Sequence, residues 1–109
     1  MNTTFDFNAL KKKHMRVILP DAKKTTLLVT TPNKSTFDSF VNIKNTLDAD
    51  MGDEAINELY DILTKILNQN INKLEFSIHD VAEMFDFEDI IAFIKAYTQF
   101  ISEVTGSKN

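Results

Sequence analysis

The chain has no cysteine and no tryptophan, and only two histidines, two glycines and two prolines. The missing cysteines exclude thiolate catalysis, cysteine-ligated zinc and a disulfide scaffold together. His14 and His79 lie far apart in the sequence, with no local metal-ligand spacing between them. Gly52 and Gly106 cannot build a glycine-rich phosphate loop, and no serine stands in a nucleophile-elbow motif. Asp48, Asp50 and Asp53 resemble a calcium loop only briefly: Gly52 falls one position early, and Leu59 stands where the closing Glu is required. No stretch approaches the roughly eighteen apolar residues of a membrane-spanning helix. Met1 to Asp6 show no basic segment leading into an apolar run, so no signal peptide is expected. These absences predict a cytoplasmic, non-enzymatic protein without catalytic, cofactor-binding or metal-binding residues.

What is present is enough for one core. The chain has 109 residues, 43% of them hydrophobic, with nine phenylalanines. A folded chain of this mass exposes about 6,200 Å² and buries roughly two thirds of its extended-chain surface. No internal repeat and no low-complexity linker divides the sequence, so residues 1–109 read as a single domain.

The net charge of −4 conceals a split. Residues 1–34 carry seven Lys and Arg against two Asp, whereas residues 35–109 carry five Lys against fourteen acids. A basic end can meet phosphate or an acidic partner, and an acidic end repels nucleic acid. Mutual neutralisation of the two parts within one fold is the plainer alternative.

Residues 14–31 read as a β-hairpin. His14 to Leu19 alternates imperfectly, and Thr25 to Thr31 is rich in β-branched residues. Pro20 to Lys24 supplies the turn, with Pro20 set for its first central position and Asp21 for the bend, and Pro32 ends the second strand. A lone hairpin is marginal in water, so it must lie on helices or gain another strand, for which Leu74-Glu75-Phe76 is a candidate. Residues 1–13, with Phe5 and Phe7, read as a flexible arm, either a short extended element or a segment that stays loose until a partner arrives.

From residue 33 to 105 the pattern is helical. Asn33 or Ser35 can cap a first helix with Phe37, Phe40, Val41, Ile43 and Leu47 on one face. A loop from Asp48 to Gly52 separates it from a second helix, striped by Ile56, Leu59, Tyr60, Leu63, Ile66 and Leu67. That helix expires at Asn68-Gln69-Asn70. Ser77 to Asp80 approximates a capping box opening a short helix with Val81, Met84 and Phe85. Asp86 caps a last helix in which Ile90, Ile94, Tyr97, Ile101 and Val104 form a seam, with Gly106 as its stop. The predicted architecture is α+β, mostly α: an N-terminal β-hairpin packed on a bundle of three to four helices.

Phe87, Phe93 and Phe100 stand beside that seam, so more than one side of the last helix is apolar. Such a helix is either central or offers a second face to another chain, and both readings stay open. Ser77 to Asp89 has the spacing of a helix-turn-helix. Its reading helix would open with Asp86, Glu88 and Asp89, three carboxylates where a groove reader needs donors. Nucleic-acid binding, through the basic hairpin, is therefore the secondary reading.

Three stretches carry a family resemblance: Val17-Ile18-Leu19-Pro20-Asp21, Thr31-Pro32-Asn33-Lys34, and Glu54-Ala55-Ile56-Asn57-Glu58-Leu59-Tyr60. With the closing stretch from Glu88 to Ile101, the order of segments resembles the tail assembly chaperones of long-tailed bacteriophages and prophages of low-GC Gram-positive bacteria. The likeness runs from about residue 14 to 104 and consists of apolar and acidic patterns. It implies a chaperone of the bacterial host cytoplasm that binds tape-measure protein and tail-tube protein during tail assembly, and that can form homo-oligomers. For such a protein Phe5, Phe7, Phe87, Phe93 and Phe100 are the expected partner contacts, since aromatics dominate interface energetics. The alternative is a small helical regulator binding nucleic acid or a protein through its basic hairpin.

Overall fold

The computed structural model describes residues 3–47 and 52–106. The expected loop at Asp48–Met51, and the side chain of Leu47, lie outside the described residues. The fold is α+β: a 3-10 turn at Phe7–Ala9, an antiparallel hairpin of β1 (Met15–Ile18) and β2 (Thr26–Val29), then helices α1 (Lys34–Leu47), α2 (Asp53–Leu67), α3 (Ile78–Met84) and α4 (Phe87–Thr105). The hairpin packs against the helices, as the sequence predicts.

Met15 faces Val29 and Val17 faces Leu27 in the hairpin register. Leu27 and Val29 are fully buried, so β2 supplies the inward face and β1 rides partly outside. The turn differs in detail from the expected one. Asp21, and not Pro20, begins it: the Lys24 N–H donates to the Asp21 carbonyl at 3.0 Å. The Asp21 carboxylate then accepts from both the backbone N–H and the hydroxyl of Thr25. Pro20 merely leads in. Lys24 sits at φ 50, a left-handed conformation that closes a bend with no glycine in it.

The third-strand position is filled, but not by Leu74-Glu75-Phe76. Along the outer edge of β2, Thr30 N–H donates to the Gln69 carbonyl at 2.8 Å and Ile71 N–H to the Leu28 carbonyl at 3.0 Å. The chain leaving α2 thus pairs with β2 at once, through the bridge Val29–Asn70. Residues 74–76 are held instead by asparagine side chains. Asn70 bonds the N–H and C=O of Leu74, and Asn68 bonds the N–H and C=O of Phe76, at 2.7–3.0 Å. Two amides thereby do the work of a strand for a segment that pairs with no strand among the described residues.

Helix α2 is the centre, packed on α1, α3, α4 and β2. It buries Ala55, Leu59, Ile62, Leu63, Ile66 and Leu67, while Ile56 and Tyr60 are only half-buried. On α1 the inward stripe is Thr36, Phe40 and Ile43, so Phe37 and Val41 face solvent, contrary to expectation. The reason is rotational: each lies one residue, about 100°, beyond the stripe, and α1 leans on its neighbours along one narrow line. Asn33 caps α1, accepting from Thr36 N–H at 2.9 Å. Ser77 with Asp80, and Asp86 with Asp89, form complete capping boxes at α3 and α4. Gly106, at φ 73, closes α4 in the left-handed conformation its missing Cβ allows.

Two measurements follow. Asn70→Ala removes a side chain that makes three hydrogen bonds to Leu67 and Leu74, and should lower stability by about 1–3 kcal/mol in urea unfolding with an unchanged slope. The Thr25 hydrogen bonds hold the Asp21 carboxyl below its ordinary pKa, and the Ser77 cap does the same for Asp80. Depressed folded-state values stabilise above the unfolded pKa of about 3.9, and that contribution fades as pH falls through the folded value. Asp21→Ala should therefore narrow the difference in thermal midpoint between pH 7 and pH 3.

Candidate interaction surface

Helix α4 decides where the expected contact residues go. Ile90, Ile94 and Tyr97 are buried against the core, and Ile101 and Val104 are half-buried at its trailing end. Tyr97 is the hub of an aromatic cluster. Phe40 meets it edge-on at 5.1 Å, Phe93 stacks on it at 5.8 Å and Phe100 lies tilted at 6.1 Å. Phe93 and Phe100 are accordingly half-buried margins of the core, on the flank where Tyr97 anchors them. Phe87, in contrast, is 41% exposed at the start of α4.

Phe5 and Phe7 are the most exposed aromatics, at 66% and 72%. They are nevertheless ordered with respect to each other. Their rings meet edge-to-face at 4.8 Å, on a turn where the Asp6 carboxylate accepts from the backbone and side-chain amides of Asn8. The predicted arm is thus a capped turn presenting two rings, followed by Leu10 and Lys11 to Lys13. Those four residues line a shallow groove with Thr31 and Val104, which sets the arm's base at the C-terminal end of α4.

The five expected residues do not converge. They fall into an exposed arm pair (Phe5, Phe7), an exposed helix start (Phe87) and a half-buried flank (Phe93, Phe100). The sequence pattern also missed exposed Phe37 and Val41 on α1, whose apolar spacing gave no sign of an outward face.

Two polar groups inside the fold stand out. Gln69 joins three elements: its carbonyl accepts from the Thr30 N–H and hydroxyl, and its amide donates to buried Thr36 at 2.9 Å. Its Oε1 and the Tyr97 hydroxyl are buried without a hydrogen-bond partner among the described residues. Burial pushes the Tyr97 phenol well above its ordinary pKa. A neutral phenol held among rings is unfit for acid–base work near neutral pH. Among the described residues, no three His, Asp or Glu side chains come together in a way that could hold a metal ion, and no helix is long and apolar enough to cross a membrane.

Comparison with protein families, curated proteins and solved structures gave no match to this chain.

The unpartnered hydroxyl makes a prediction of opposite sign to most core substitutions. Tyr97→Phe keeps the ring contacts and removes a buried polar atom, so it should leave stability unchanged or raise it by about 1 kcal/mol. Tyr97→Ala should cost about 3–5 kcal/mol, read from the same denaturation curves.

Proposed function

We propose that this chain is a non-enzymatic assembly chaperone of the phage-tail type, working in the host cytoplasm by covering apolar segments of tape-measure protein, tail-tube protein or both. The observation that carries the reading is the apolar surface left open around a well-filled core. Phe5 and Phe7 are 66% and 72% exposed, Ile18 is 59% and Phe87 is 41%, so both the arm and the start of α4 present large apolar side chains to solvent.

This arrangement suits a holding function. A tape-measure protein, in the family that the sequence resembles, is a long helical chain prone to aggregation, and an amphipathic helix seats naturally on an apolar helix face. Rigid aromatic side chains give much contact area for little lost entropy. The acidic surface around α3 and α4 keeps a partly apolar molecule in solution.

One observation favours a second reading, a nucleic-acid-binding regulator. Lys11, Lys12 and Lys13 are exposed and follow the exposed rings of Phe5 and Phe7 closely in the chain. Lysines on phosphate with rings stacked on bases form a single-strand binding pattern. The carboxylates of α4 and the scarcity of arginine weigh against it, and steeply salt-dependent retention on DNA or RNA would establish it.

The deciding experiment is co-expression with a phage tape-measure protein. The chaperone reading expects that protein to move into the soluble fraction and to co-purify with this chain. Combining Phe5→Ala, Phe7→Ala and Phe87→Ala should lose most of the rescue while the variant remains folded by circular dichroism. No rescue and no complex would refute it.

A further inference from the structure

Strand β1 has a partner on one side only. In the hairpin register Arg16 faces Leu28. Leu28 turns its backbone away from β1: its N–H donates to the Asn72 side chain at 2.8 Å, and its C=O accepts from the Ile71 N–H at 3.0 Å. Antiparallel pairs alternate between exchanging both backbone bonds and exchanging none, so Arg16 also points its N–H and C=O away from β2. Leu19 N–H donates to the Thr25 C=O at 2.8 Å, and by the same alternation Ile18 points outward with Arg16. Among the described residues, these outward groups of Arg16 and Ile18 have no hydrogen-bond partner. The far edge of β2 is filled by the chain leaving α2, so the open edge of the sheet is β1.

Such an edge is matched by an extended polypeptide, whose own N–H and C=O groups recur at the same two-residue spacing. The side chains set its chemistry. Met15 and Val17 pack against the core but stay half-buried, while Arg16 and Ile18 alternate with them and are exposed. The hairpin is also strongly cationic. From residue 7 to residue 25 it carries Lys11, Lys12, Lys13, Arg16, Lys23 and Lys24 against one carboxylate, Asp21. That carboxylate is already bonded to Thr25. Among the described residues none of the six cations makes an ion pair. Three of them continue directly from the edge strand: the register carried on by two residues sets Lys13 opposite Thr31, and Lys11, Lys12, Lys13 and Thr31 line one shallow groove.

We propose that β1 accepts an extended, acidic segment of another protein as an added strand. The segment's backbone bonds to Arg16 and Ile18, its apolar side chains lie beside Met15 and Val17, and its carboxylates meet Arg16 and Lys11 to Lys13. The backbone bonds hold any extended chain, and the unpaired cations select an acidic one. A second copy is the poorer occupant, because it brings the same cations to the same edge, and like charges across a strand pair repel. This surface uses none of Phe5, Phe7 and Phe87, so it stands or falls separately from the chaperone reading.

The test adds peptides of about ten residues to the full-length, isotope-labelled chain. One alternates valine with glutamate, and a second has lysine in place of glutamate. A third is the glutamate peptide N-methylated at its central residues, which keeps the charge and removes the backbone donors. The glutamate peptide should bind at least about tenfold more tightly than the lysine peptide at low salt, and weaken as salt rises. It should also slow amide exchange at Arg16 and Ile18 by about tenfold or more. N-methylation should weaken binding about tenfold or more, a comparison that leaves the protein untouched. Ile18→Pro removes one outward donor without touching the bonds to β2, and should weaken binding to a similar degree. Arg16→Glu should narrow the preference for the glutamate peptide about fivefold or more. Equal affinity for the glutamate and lysine peptides overturns the proposal, as does undiminished binding of the N-methylated peptide. Unchanged amide exchange at Arg16 and Ile18 in the complex overturns it. So does a free chain that sediments as a dimer with those amides already protected, or a hairpin that binds a single-stranded oligonucleotide and not the glutamate peptide.

Discussion

Helix α2 has to hide six side chains at once, and its neighbours are placed by that need. Leu59 and Ile66 are completely enclosed, and Ile62, Leu63 and Leu67 nearly so. Each such burial is worth about 1.5–3 kcal/mol. Satisfying it takes a helix on either hand, α3 beyond, and the inner face of a two-stranded sheet too small to stand alone. The requirement is met with the inward faces of the surrounding elements only. Their outward faces keep apolar side chains partly exposed, among them Phe37, Val41, Ile78 and Phe87.

The polar side chains with the most structural work are engaged in holding backbone. Asn68 and Asn70 substitute for a missing strand, Asp80 and Asp89 complete caps, and Asp21 closes the hairpin. The most deeply buried titratable group, Tyr97, is locked neutral among phenylalanines. What the exterior provides is aromatic rings on a capped turn, Phe5 and Phe7, with an exposed Phe87 at the start of α4.

Much of the fold was legible in the sequence because its determinants are local. The hairpin, the helix starts at Asn33, Ser77 and Asp86, the seam through Ile90, Ile94 and Tyr97, and the stop at Gly106 each depend on residues within a few positions of one another. The features that escaped are those set by chain reversal. Asn68 reaches a backbone eight residues later, and only the turn after α2 brings it there. Periodicity placed Phe37 and Val41 with Phe40 on one face, but it could not say how wide a stripe α1 buries, which depends on how few neighbours α1 has. For the contact residues, spacing alone could not separate Phe93 and Phe100, gathered in by Tyr97, from Phe87, which has no partner ring. Phe5 and Phe7 were legible as an arm because nothing in their neighbourhood continues either period.

The central claim is that exposed aromatic side chains, and not the core, meet the client. Fluorine NMR of the chain labelled at its nine phenylalanines tests this directly, with each resonance assigned by substitution. On addition of client, the account predicts shifted or broadened signals for Phe5, Phe7 and Phe87, with buried Phe40 unmoved. A complex that leaves those three signals unchanged, or that perturbs Phe40 as strongly as Phe87, would contradict it.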